Sequence, residues 1–194
     1  VVALRRPMLD LTDEASIVAA ARALPEGELR LVFDATGFLH DTAQRPERSW
    51  RELDAAALAR NFALNAIGPA LLMKHFLPLL PRRGRAVFAT LSARVGSIGD
   101  NRLGGWYGYR AAKAALNQLV RTAAIELART HPDAVCVALH PGTVATPLSA
   151  PFAKTGLTLR SPAAAAADLL AVVEALTPAQ TGGFLDWRGQ PVPW

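Results

Sequence analysis

Apolar positions follow two alternating rhythms along this chain. Short, largely apolar runs occupy Leu29–Asp34, Arg85–Thr90, Ala134–His140 and Gly183–Trp187, and Val1–Leu4 reads as the end of a further strand. Between them lie longer stretches with apolar residues at helical spacing: Glu14–Leu24, Asp54–Leu80, Tyr107–Thr130 and Pro162–Leu176. The punctuation agrees with that division. Asp10 or Thr12 can cap the first helix, Gly68-Pro69 predicts a kink or break in the second, and Pro141-Gly142 stops the third run. Pro162 suits a first helical turn. Strands apolar on both faces and alternating with helices predict a doubly wound, mostly parallel α/β sheet, as one domain over residues 1–194.

Composition narrows the class. The chain has 194 residues, 51% hydrophobic and 19% charged, enough for one sizeable globular core. No uninterrupted apolar run reaches the roughly 18 residues expected of a membrane span, and the N-terminal stretch does not resemble a secretion signal. The single cysteine, Cys136, lies in an apolar run. It reads as a buried small hydrophobe and rules out an intrachain disulfide. A cytoplasmic setting is expected. The net charge is +5, but the arginines are scattered without interleaved aromatics, so no nucleic-acid partner is expected. His40, His75 and His131 form no metal-ligand spacing.

Candidate chemistry collects at strand ends, where open α/β sheets bind ligands. Asp34-Ala35-Thr36-Gly37, Ser92–Gly96 and Pro141–Thr146 sit there. Tyr109 and Lys113 are four residues apart on the third helix, hence on one face, one turn apart. An ammonium so placed favours phenolate and is expected to lower the Tyr109 pKa, suiting it to proton transfer at a carbonyl or alcohol. His140 precedes the Pro-Gly turn and reads as a structural strand-end residue.

With these motifs in this order, the chain resembles the short-chain dehydrogenase/reductase family. The stretch Ser92–Tyr107 and the closing Asp186–Trp194 resemble its C-factor-like (C-signal-like) branch. The resemblance implies a Rossmann-like fold and an NAD(P)-dependent oxidoreductase that reduces a carbonyl or oxidises an alcohol. Tyr109 would be the general acid/base. Lys113 would tune it and bind the nicotinamide ribose, and Asn65 would hold a water near Lys113. Asp10 matches the residue that contacts adenine, although it also reads as a turn or cap. Asp34-Ala35-Thr36-Gly37 stands where the family has Asn-Asn-Ala-Gly. Pro141, Gly142, Val144 and Thr146 match the nicotinamide-facing loop. Arg5-Arg6, with no acid before Asp10, favours NADP(H), with NAD(H) possible. A homodimer or homotetramer is implied.

Two departures qualify the resemblance. The family places a substrate-binding hydroxyl three residues before Gly96, where this chain has Ala93. Ser92, or else Ser97, is expected to take the role. No Gly-rich turn lies upstream of Asp10. The family's first strand and that turn, roughly 30–40 residues, are expected to belong to the natural protein. That strand is expected between those beginning at Val1 and near Arg85. These departures keep open an alternative: a catalytically silent NADP-binding or signalling protein on the same fold. Phe38, Trp106, Phe152 and Leu148 are candidate pocket residues, as is Tyr107, which has no lysine four residues on and is not expected to act as a catalyst.

Overall fold

The computed structural model describes residues 1–152 and 159–194. In chain order the principal elements are α1 (Glu14–Arg22), β1 (Leu31–Asp34), α2 (Ala55–Phe62), α3 (Gly68–Phe76), β2 (Ala86–Leu91), α4 (Tyr107–Leu127), β3 (Ala134–His140), α5 (Pro162–Ala175) and β4 (Phe184–Asp186). The four strands form one parallel sheet in the order β1-β2-β3-β4. Parallel strands need crossovers, and helices fill them on both faces of the sheet.

Alternation along β2 and β3 divides the core. Phe88, Cys136 and Ala138 face α1, α3 and α4, where Ile17, Phe76, Leu116 and Val120 meet them. Val87, Val135, Val137 and Leu139 face α5 through Leu169, Val172 and Val173. Burying each such side chain contributes roughly 1.5–3 kcal/mol. Cys136 is fully buried, with its sulfur 4.0 Å from that of Met73.

Several expectations are corrected. Val1–Leu4 is irregular and mostly exposed rather than a strand, and it pairs with none of the four strands. β2 has both edges taken, by β1 and β3, so no gap lies beside it for a further strand; the open edge is that of β1. α1 is capped by Asp13, whose carboxylate accepts from the Ala15 N–H at 3.0 Å, not by Asp10 or Thr12. The second helical stretch, Ala55–Leu79, is long and apolar enough by composition to cross a membrane. Here its apolar face, through Leu72, Met73 and Phe76, joins the core under α4.

Pro69 does not break that stretch. The turn Ala63–Ile67 is π-helical, and the Gly68 N–H bonds to the Ala63 carbonyl. A widened turn just ahead of a proline absorbs the ring and the missing donor, since Pro69 has no N–H for the Asn65 carbonyl. Such bulges recur at functional sites, and this one places Asn65 in the interior, fully buried.

Candidate active site

A cavity of about 980 Å³ opens beyond the carboxyl ends of the strands. Its polar lining includes Thr36 after β1, Ser92 after β2, Thr143 and Thr146 after β3, and Tyr109 and Lys113 of α4, with the charged Arg94, Asp100, Arg102 and Arg110 also on its wall. Trp106, Leu148 and Phe152 give it an aromatic and apolar wall, with the Trp106 and Phe152 rings edge to face at 4.9 Å. Phe38 and Tyr107 do not line it. The Phe38 ring lies instead under the Arg60 guanidinium at 4.4 Å.

α4 carries the centre. Tyr109, Lys113 and Asn117 repeat every four residues and are all buried. Lys113 Nζ donates to the Leu91 carbonyl at 2.8 Å and sits 5.9 Å from the centroid of the Tyr109 ring. The tight turn Arg94–Gly96 packs directly on this part of α4. A Cβ at Gly96 would stand 2.8 Å from the Lys113 backbone, a distance no real side chain tolerates.

The electrostatics differ from expectation. Burial pushes the Tyr109 phenol up, to about 12. Burial also pushes Lys113 down, to about 8, against the raising influence of the Asp34 carboxylate. The N-terminal end of a helix favours phenolate, but desolvation wins at Tyr109. The lysine ammonium therefore does not lower the tyrosine here; it lies beside the ring and spends a hydrogen bond on Leu91.

The departure at Asp34 and Thr36 is self-consistent. Asp34 Oδ1 accepts from both the N–H and the hydroxyl of Thr36, at 3.0 and 2.6 Å, and Oδ2 accepts from the Thr90 hydroxyl at 2.7 Å. The buried carboxylate is thus paid for by neighbours on β1 and β2 and by the nearby Lys113 charge. Ala35, Thr36 and Gly37 line the cavity, whereas Asp34 lies beneath it. Asn65 acts one layer back. Its amide donates to the Phe38 carbonyl at 2.8 Å and its oxygen accepts from the Phe38 N–H at 2.9 Å, locking the chain just past Gly37.

The two serines separate. Ser97 is buried away from the cavity, and its Oγ accepts from the Asp100 N–H at 3.1 Å. Ser92 lines the cavity, but its hydroxyl donates to Asn117 Oδ1 at 2.6 Å. Ala93 also lines the cavity. His140 lines it as well, a neutral imidazole held down to about 4 by burial, with Nδ1 unpartnered.

Arg5 and Asp10 are not brought to this cavity. Arg5 sits in the exposed irregular start. Asp10 turns on itself, accepting from the Thr12 N–H and hydroxyl at 2.8 and 2.7 Å, which holds its carboxyl below the usual range. The loop residues Pro141, Gly142, Val144 and Thr146 all line the cavity. Arg160 closes the back of that loop through backbone bonds to Thr143 and Ala145 and a stack on Trp187 at 3.6 Å. Sequence reasoning missed Asn117, although the four-residue repeat from Tyr109 points to it. It also missed the buried Glu47 carboxylate, which accepts from the Gly108 N–H of α4 across 61 residues of sequence and which no local pattern signals.

These residues fit the nicotinamide end of a dinucleotide. A Cβ built at Gly37 meets nothing nearer than Asn65 Oδ1 at 3.9 Å, so bare backbone faces open space there. Opposite stand the Pro141–Thr146 loop and a buried lysine. The family model described as enoyl-(acyl carrier protein) reductase matches residues 7–181. The C-signal of Myxococcus xanthus is 38% identical over 144 residues, covering 74% of this chain and 82% of that protein. The 1-hydroxy-2-glutathionyl-2-methyl-3-butene dehydrogenase of Rhodococcus sp. (strain AD45) is 33% identical over 195 residues, 97% of this chain and 79% of that protein. The NADPH-bound carbonyl reductase from chicken fatty liver superposes with a TM-score of 0.81 at 28% identity, over 96% of this chain and 75% of that one. The chain belongs to the short-chain dehydrogenase/reductase family of NAD(P)-dependent oxidoreductases.

Proposed function

We propose that this chain reduces a small carbonyl compound, or oxidises the matching alcohol, with NADP(H) as its preferred cofactor and Tyr109 as general acid/base. The observation that carries the reading is Lys113: a buried lysine beside the Tyr109 ring in the wall of a large cavity at the strand ends. Burying a lysine on one carbonyl bond and one nearby carboxylate is costly, and groups perturbed in this way cluster at functional sites. The cofactor, when bound, supplies hydride. Lys113 and the Pro141–Thr146 loop would hold its nicotinamide riboside, with Ala35–Gly37 against its flank. Tyr109, kept protonated by burial, gives its proton to the carbonyl oxygen. Asn65 steadies the turn after Gly37. Ser92 can serve the substrate oxygen only by releasing Asn117. The apolar wall of Trp106, Leu148 and Phe152 suits an apolar carbonyl substrate. NADP(H) is favoured by Arg5-Arg6 in the sequence and by the NADPH-bound relative. Exposed Leu119 and Ile125 on α4 suit a homo-oligomeric contact.

NADPH consumption is to be followed with a panel of aldehydes, ketones and quinones. Tyr109→Phe should lower turnover by about 10²–10⁴ while leaving NADPH binding intact. Equal turnover by both proteins would remove Tyr109 from the chemistry.

Ala93 supports a second reading, a silent NADP-binding or signalling protein. The relative named C-signal points the same way. NADPH binding without turnover of any substrate in the panel would favour it.

A further inference from the structure

Helix α4 enters the active site without a cap of its own. Trp106, just ahead of it, has a left-handed backbone (φ 53°) and makes no side-chain cap bond. A bulky residue pays strain for that conformation, and the first-turn amides need acceptors from elsewhere. Glu47 provides them from the loop between β1 and α2, 61 residues upstream of Gly108. Its two carboxylate oxygens lie 3.2 and 3.4 Å from the Gly108 N–H, and its own carbonyl accepts from the Trp106 N–H at 2.6 Å.

The surroundings are shaped for it. Glu47 is only 4% exposed, and no cation pairs with it among the described residues. An unpaired buried carboxylate is expensive, but the positive end of a 21-residue helix offsets that cost. A Cβ at Gly108 would stand 3.0 Å from Glu47 Oε1 and 2.7 Å from Asn61 Nδ2, so only glycine admits the carboxylate this close. Tyr109 is the next residue. Trp106, held by the same glutamate, packs edge to face on Tyr109 at 6.4 Å and lines the cavity.

We propose that Glu47 is a positioning residue for proton transfer: a carboxylate cap delivered from a distant loop that fixes the first turn of α4. It thereby sets both the Tyr109 phenol and the Trp106 wall of the substrate cavity. The inference rests on the reading of Tyr109 as the acid/base, and its test has an arm that does not need turnover.

The chain has two tyrosines. In a Tyr107→Phe background, Tyr109 alone gives the tyrosinate absorbance, read by stopped-flow pH jump before any unfolding. With Glu47 present it should ionise near 12. Glu47→Ala, which frees the first turn and wets the phenol, should bring ionisation down toward the ordinary value of about 10. It should also lower kcat by about 10², the cost of a small misplacement, with KM for NADPH unchanged. Glu47→Gln keeps an acceptor oxygen and should recover kcat to within about fivefold of the wild type. A folded Glu47→Ala with wild-type ionisation and kcat overturns the proposal. If that variant does not fold, Glu47→Asp decides, since it keeps the charge but withdraws it by one methylene. Wild-type ionisation and kcat in Glu47→Asp likewise overturn the proposal. A shifted ionisation in a protein that never turns over a carbonyl would sustain the cap and defeat the catalytic reading instead.

Discussion

Lys113 is held where solvation alone would not put it, and its protonation is coupled to folding. The unfolded chain keeps the proton to about 10.5, whereas the folded chain releases it near 8. Between those values the unfolded state binds more protons, so this residue's contribution to stability rises with pH; below 8 its penalty is complete. At 1.36 kcal/mol per unit the penalty is about 3 kcal/mol. Lys113→Met should therefore be more stable than the wild type at pH 7, by up to about 3 kcal/mol. The lost bond to Leu91 and the lost neighbour of Asp34 offset part of this gain. The advantage should fade by pH 10, before Tyr109 begins to ionise. Urea unfolding of both proteins at pH 7 and 10 checks this, and a pH-independent difference would contradict it. Ala93 presents the opposite case, a cavity-facing position that lacks a donor. Ala93→Ser should raise kcat/KM by about 10- to 100-fold, a modest share of what an oxyanion donor is worth. An unchanged rate would mean that the substrate oxygen is served elsewhere in the cavity.

At the scale of elements, the site is a meeting of α4, the turn Arg94–Gly96 and the π-helical turn around Asn65. Gly96→Ala forces a methyl group into the Lys113 backbone. It should destabilise by about 1–3 kcal/mol, as overpacking does, and should lower activity more than Ser97→Ala, because Ser97 faces away from the cavity. Thermal unfolding and initial rates on the two variants separate these effects. The four paired strands, β1 to β4, and the pairing of Tyr109 with Lys113 were legible in the sequence, since apolar runs and four-residue spacing are local patterns. The idle Val1–Leu4 segment was not, because an apolar run becomes a strand only when it pairs with a neighbour, and this one pairs with none. Nor were the ties of Asn65 to Phe38, 27 residues away, or of Glu47 to Gly108. Such bonds depend on where loops land, and residue periodicity carries no record of that. The direction of the Tyr109 shift was misread for a related reason: spacing reports a neighbouring charge, whereas depth of burial decides the sign.

For the whole molecule, protection should follow the sheet inward. β2 and β3 have partners on both edges and are fully buried along most of their length, whereas β1 pairs on one edge only. Native-state hydrogen exchange should find the slowest amides in β2 and β3 and faster ones on the open side of β1; uniform protection across the sheet would argue against this order. Cys136 sits at the centre of that most protected layer, wedged against Met73, with its thiol pushed by burial to about 12. A thiol so placed is inert to alkylating reagents and oxidants while the sheet is closed. As the chain's sole sulfhydryl, it makes the protein its own unfolding clock. The rate at which it takes up label counts full openings of the core, with no engineered probe, and a bound cofactor that steadies the sheet should register as a slower tick.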